Sequence, residues 1–185
     1  MVLSTILFVY TLTTALWYVP TGEASSSVEL PIEALSSSLP ARLVIPALHV
    51  DASVQKVGVK ADGNMATPSN FSDVAWYKHG TVPGQLGSAV ISGHVDNGLA
   101  LAGVFKHLPE IQIGDDVFIE QQDGSKLHFV VEAIESYPYK DAPVEKIFAQ
   151  NDAARLNLVT CEGNWVKSEK TYDRRLVVFT KLVKT

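Results

Sequence analysis

One thiol and five imidazoles are the groups in this sequence whose reactivity near neutral pH could make or break a covalent bond. The thiol belongs to Cys161, the single cysteine, so neither an intrachain disulfide nor a multi-cysteine metal site can form. A lone cysteine has three readings: a buried small apolar residue, the partner of another chain's thiol, or a nucleophile. A free thiol is only about 3% ionised at pH 7, so a nucleophile needs a base or a positive charge beside it. Of the imidazoles, His128 alternates within a strand pattern and His107 falls in an amphipathic stretch, so both read as structural. His49 ends an early strand and carries no signal. His79 precedes Gly80, and His94 follows Ala89-Val90-Ile91-Ser92-Gly93 at a strand-to-loop junction. A cysteine and a histidine at strand ends, far apart in sequence, is how Cys-His sites are usually assembled. Arg175 opens the last apolar strand, a short connection after the cysteine. Its permanent charge suits it to steady an oxyanion or a substrate carbonyl. Arg174 reads as solvent-facing.

The elements that must position these groups are strands. Leu156-Asn157-Leu158-Val159 leads into Thr160-Cys161, and Glu162-Gly163 begins a polar loop. By strand parity Leu156, Leu158 and Thr160 point one way, and Asn157, Val159 and Cys161 the other. Further strands are expected at Leu43–Ile45, Val54–Val59, Ala89–Ile91, Val117–Gln121, Lys126–Ile134 and Leu176–Val183. Asp62-Gly63 and Asp123-Gly124 are turn signals, the second of them a hairpin. Leu127, Phe129, Val131 and Ala133 are expected on one face. Short helices are expected at Pro143–Gln150, with Asp141 as N-cap, and at Leu99–Leu108. Many short strands with few helices predict a mainly β protein, a closed barrel rich in antiparallel pairs.

Residues 2–19 carry no charge, are mostly apolar and end in Trp17-Tyr18. As a helix they span about 27 Å, close to the hydrocarbon core of a bilayer, so one N-terminal transmembrane anchor is expected rather than a cleaved signal peptide. Residues 20–41 are rich in Ser and Pro and read as a tether, leaving 42–185 as the globular domain. A hydrophobic fraction of 46% is enough for a real core, and a net charge of -5 without a basic stripe argues against nucleic acid. Membrane, spacer and domain together are the layout of an enzyme that works near a membrane surface.

The constellation of His94, Thr160-Cys161 and Arg175 resembles the sortase family. The matching stretches include Ile45-Pro46, Val50-Asp51-Ala52, Asp62-Gly63-Asn64-Met65, Trp76-Tyr77 and Pro83-Gly84. They continue through Ala89 to Asp96, Gly114-Asp115, Leu158 to Cys161 and Arg175 to Val178. The Gly93-His94-Val95-Asp96 form is closest to class F or the neighbouring classes D and E. The resemblance implies an eight-stranded sortase barrel, with Cys161 ending the seventh strand and Arg175 beginning the eighth. It implies that Cys161 attacks the Thr–Gly (or Thr–Ala) bond of an LPXTG-like sorting motif on a surface protein, with His94 as acid and base. Arg175 and Thr160 would stabilise the oxyanion. An amine acceptor, such as a peptidoglycan precursor, would resolve the thioester at the surface of a Gram-positive cell. Thr160, Asn157 and Val159 are the candidate substrate contacts, and no cofactor or metal is implied. Asn157 departs from the family's usual Thr at that position, which bears on motif preference. The segment 137–155 would be the specificity loop. Two alternatives fit less well: an L,D-transpeptidase-like enzyme, whose Ser-His-Gly-Cys signature is absent, and a non-enzymatic anchored barrel in which Cys161 is core. A metal site from His94, Asp96 and Glu162 lacks zinc-like spacing, and Asp115-Asp116 is too little for calcium.

Overall fold

The computed structural model describes residues 39–96 and 101–183. The expected transmembrane anchor at 2–19, and nearly all of the tether, lie outside these residues. Among the described residues no helix is long and apolar enough to cross a membrane. Eight strands form the fold: β1 (Pro40–Ile45), β2 (Val50–Val57), β3 (Val74–Tyr77), β4 (Gly87–Gly93), β5 (Asp116–Gln121), β6 (Lys126–Pro138), β7 (Ala154–Val166) and β8 (Thr171–Leu182). They close in the order β1-β2-β3-β4-β7-β8-β6-β5, with β5 pairing back onto β1. Most pairs are antiparallel, as the pattern predicts, but β2–β3 and β4–β7 are parallel.

Alternation fixes which side chains enter the barrel. Ile91 from β4, Leu156 and Leu158 from β7, and Val178 from β8 are fully buried in one continuous core. A second, smaller cluster lies on the outer face of β4, β7 and β8, where Val90, Val177 and Phe179 are covered by Ile147. Ile147 belongs to a short α-helix, α1 (Val144–Phe148), the one α-helix among the described residues. Asn157 pins this helix: its amide donates to the Ile147 carbonyl at 2.6 Å, and the side chain is fully buried.

Several local expectations are corrected. The hairpin at Asp123-Gly124 forms, with Gly124 at φ 82° as the turn requires. β6, however, runs on to Pro138 and carries a bulge between Val131 and Ala133. The extra residue turns the pleat over, so Ala133 packs in the outer cluster while Leu127, Phe129 and Val131 face the core. Asp141 does not cap α1; Pro143 holds the N-cap position, and Asp141 closes a separate 3-10 turn at Tyr139–Asp141. No helix spans 101–108. That stretch is a turn followed by a 3-10 turn at Leu108–Glu110, with Phe105 and Leu108 plugging the core. Plugging residues at this spacing mimic a helical face.

Candidate active site

Strand register brings the chemistry-bearing residues together. β7 and β8 run antiparallel with Cys161 directly opposite Arg175. β4 runs parallel to β7 with Ser92 level with Val159, so continuing that register puts His94 beside Cys161. Thr160 locks this end of the pair. Its hydroxyl points into the barrel, is buried, and donates to the Gly93 carbonyl at 2.8 Å. The residue before the thiol is therefore bonded to the residue before the imidazole, and the two functional side chains share the outer face with Val159 and the α1 cluster.

His94 is half-buried and held from three sides. Its Nε2 lies 3.1 Å from the Pro68 carbonyl, and the Phe71 ring sits 4.9 Å from the imidazole at a 49° tilt. The His94 carbonyl accepts from the Phe105 N–H at 2.9 Å, and the Gly103 N–H donates to Val95 at 3.0 Å. A carbonyl only accepts, so the Pro68 contact places the ring proton on Nε2 and leaves Nδ1 as the atom free to exchange a proton. Gly103 is required here, because a Cβ on it would lie 2.3 Å from the His94 oxygen.

The Arg175 guanidinium is held by its own strand. Nη1 donates to the Tyr172 and Arg174 carbonyls at 3.0 and 2.8 Å, Nη2 donates to Thr171 at 2.8 Å, and the Tyr139 ring stacks 4.3 Å from Cζ. Among the described residues no carboxylate neutralises it. Arg174 differs in every respect: it binds Ser136 twice and lies 3.9 Å from Glu162. It ties β6, β7 and β8 together.

The thiol of Cys161 is half-buried. Burial pushes it above the ordinary thiol value, Arg175 pulls it down, Asp96 pushes it up, and Lys60 pulls slightly down. Burial wins, so in the substrate-free site the thiol is mostly protonated at neutral pH. Asp96 accepts a hydrogen bond from the Tyr172 hydroxyl, whose own pKa is pushed up to about 12, first by that bond and then by burial.

Of the six residues singled out in the sequence, Cys161 and Arg175 stand opposite each other across β7 and β8, and His94 follows the strand that pairs with β7. Thr160 and Val159 flank them, while Asn157 lies buried beneath α1. Pro68, Phe71, Gly103 and Tyr172 carry no sequence signal, because each acts through a loop or an aromatic contact. Among the described residues no group of three or more His, Cys, Asp or Glu side chains is arranged to hold a metal ion. An open surface depression is lined in part by Phe71, Gly103 and His107, and Cys161 is not among its lining residues.

A thiol, an imidazole and an unneutralised guanidinium at one sheet end are the parts of cysteine-dependent acyl transfer. The chain belongs to the sortase family of cysteine transpeptidases: the sortase domain model matches residues 43–183. Solved structures agree on the fold. A lid mutant of sortase A from Corynebacterium diphtheriae is 20% identical, with TM-score 0.62, covering 80% of this chain and 71% of that one. Sortase C-1 from Actinomyces oris is 20% identical, with TM-score 0.62 and coverages of 78% and 73%. The complex of Streptococcus agalactiae sortase C1 with MTSET is 22% identical, with TM-score 0.59 and coverages of 78% and 67%. No curated protein sequence matches the chain.

Proposed function

We propose that the protein cleaves an LPXTG-like sorting motif between Thr and Gly (or Ala) and transfers the new carboxyl end to an amine at the cell surface. The observations that support this reading are the register that sets Cys161 opposite Arg175 and the bond from Thr160 to Gly93, which tie the residues next to the thiol and the imidazole together. The Cys161 thiol passes its proton to Nδ1 of His94, and the resulting thiolate attacks the threonine carbonyl carbon. The carbonyl oxygen takes up negative charge beside Arg175, and His94 protonates the departing amine through Nδ1. A thioester remains. The incoming amine attacks it, gives a proton to His94 and releases the sulfur with its electron pair. A positioned acid and base is worth about 10²- to 10⁴-fold in rate, and one oxyanion donor about 3–4 kcal/mol.

The substrate runs along the outer face of β4, β7 and β8, with the 137–155 segment and α1 as one wall. Asn157 shapes that wall through Ile147, and Val159 lies on its floor. The domain 42–185 works tethered by residues 20–41 to a membrane anchor at 2–19, facing the outside of a Gram-positive cell. The Gly93-His94-Val95-Asp96 signature favours class F or its neighbours D and E within the family.

Incubation with a fluorogenic LPXTG-type peptide tests the reading. Cleavage should depend on Cys161, and intact mass should show the acyl group on that residue. Undiminished cleavage by Cys161→Ala, or a wild-type enzyme that never acquires the adduct, overturns it.

A further inference from the structure

Asp96 stands where a carboxylate is a disadvantage. It sits two residues beyond His94, within electrostatic range of a thiol that must ionise, and it opposes that ionisation. No cation pairs with it among the described residues. Its one side-chain hydrogen bond there comes from the Tyr172 hydroxyl on β8, which bridges over the end of β7 from the far side. The Tyr172 ring in turn meets the ring of Trp165 edge-on at 5.4 Å, and Trp165 is 53% exposed. An acid with one oxygen engaged, an adjacent phenol and an open indole face form the usual surroundings of an organic cation.

We propose that Asp96, Tyr172 and Trp165 form the entry site for the acceptor, which they capture as an ammonium ion beside the thioester. This rests on the transpeptidase reading above and names the charge state in which its second substrate arrives. Tyr172 occupies one oxygen of Asp96 and tempers its pull, Asp96 supplies the counter-charge, and Trp165 covers the cation. On leaving Asp96 the ammonium loses one proton to water. Its nitrogen then attacks the thioester carbon, the C–S bond breaks as the amide forms, the second proton passes to His94, and the electron pair stays on sulfur. In the free enzyme the same carboxylate adds to the burial that keeps the thiol protonated.

The test compares two nucleophiles against a preformed acyl-enzyme at neutral pH. Triglycine amide, with an α-amine pKa of about 8, is mostly ammonium; hydroxylamine is uncharged. Asp96→Asn should raise the apparent KM for triglycine amide roughly five- to tenfold, and Trp165→Ala about threefold. Neither should alter the KM for hydroxylamine. Asp96→Asn should also speed alkylation of Cys161 at neutral pH, since an opposing charge is gone. Tyr172→Phe keeps the carboxylate and frees it, so it should lower the triglycine amide KM and slow alkylation. Equal changes for both nucleophiles, no change for the charged one, or a Tyr172→Phe effect in the same direction as Asp96→Asn overturns the proposal. Absence of any acyl-enzyme in the wild type is read before an acceptor is added, and it refutes the transpeptidase reading itself.

Discussion

Replacing Gly103 with alanine would disturb His94 without altering any group that reacts. The new Cβ would start 2.3 Å from the His94 carbonyl oxygen, while real Cβ contacts essentially never fall below 3.0 Å. The two backbones must therefore part by at least the difference, and by about 1 Å for an ordinary contact. The obstructing atom is backbone, so no side-chain rotation relieves it. The bonds from Phe105 to His94 and from Gly103 to Val95 lengthen together, and the imidazole is displaced from the Pro68 carbonyl. A misplacement of about 1 Å in a catalytic group can cost about 10²-fold in rate. We expect kcat/KM for peptide cleavage to fall by about that factor, carried by kcat. The pH profile of Cys161 alkylation should stay close to its wild-type midpoint, because burial and Arg175, its two largest influences, are untouched. A folded Gly103→Ala variant, judged by its thermal transition, that keeps activity within about threefold would refute the reasoning. So would a parallel loss of thiol reactivity, which would mean that the change had spread beyond His94.

Arg175→Ala should lower kcat/KM by at least about 10²-fold and move the midpoint of Cys161 alkylation to higher pH, since the charge that pulls the thiol down is lost. Arg175→Lys should keep most of the shift in thiol pKa but little of the rate, because an ammonium cannot reproduce the fork. Arg174→Ala should act on stability more than on turnover, and thermal melts beside kinetics separate the two. Thr160→Val leaves the buried Gly93 carbonyl without its partner and should cost about 1–3 kcal/mol in denaturant unfolding. Tyr172 should ionise near 12 in an ultraviolet titration and move back towards the ordinary phenol value in Asp96→Asn. Because the folded value is raised, the stability from this hydrogen bond is fully present below about 10 and is lost as pH climbs through the folded value.

Much of this arrangement was legible in the residues. Period-two alternation placed Cys161 on the face of Asn157 and Val159, opposite Leu158, and a short connection before the last apolar run was enough to pair Arg175 with the thiol. The parallel joining of β4 to β7 was not legible, because periodicity gives a strand its faces but not its neighbour. The bulge at Val131 to Ala133 was hidden for the same reason: the alternating pattern runs on unbroken through the point where the backbone slips. β3 escaped notice because Val74-Ala75-Trp76 is buried on both sides and does not alternate. The stretch 101–108 looked helical since Phe105 and Leu108 fall three apart, a spacing that a plug of turns also produces. Gly103 and Pro68 act through backbone atoms, whose roles no side-chain pattern records.

The hydrogen bond between Thr160 and Gly93 spans 67 positions of chain, and β5, β6 and α1 lie between its two ends. A contact of that separation forms late, after loop-closure entropy has been overcome by the intervening strands. A half-folded molecule thus holds a cysteine opposite its cation on the neighbouring strand but without its acid. Changes of length in the connecting excursion can reshape what docks on the outer wall without moving the reacting atoms, so selectivity is free to drift while the chemistry stays in place.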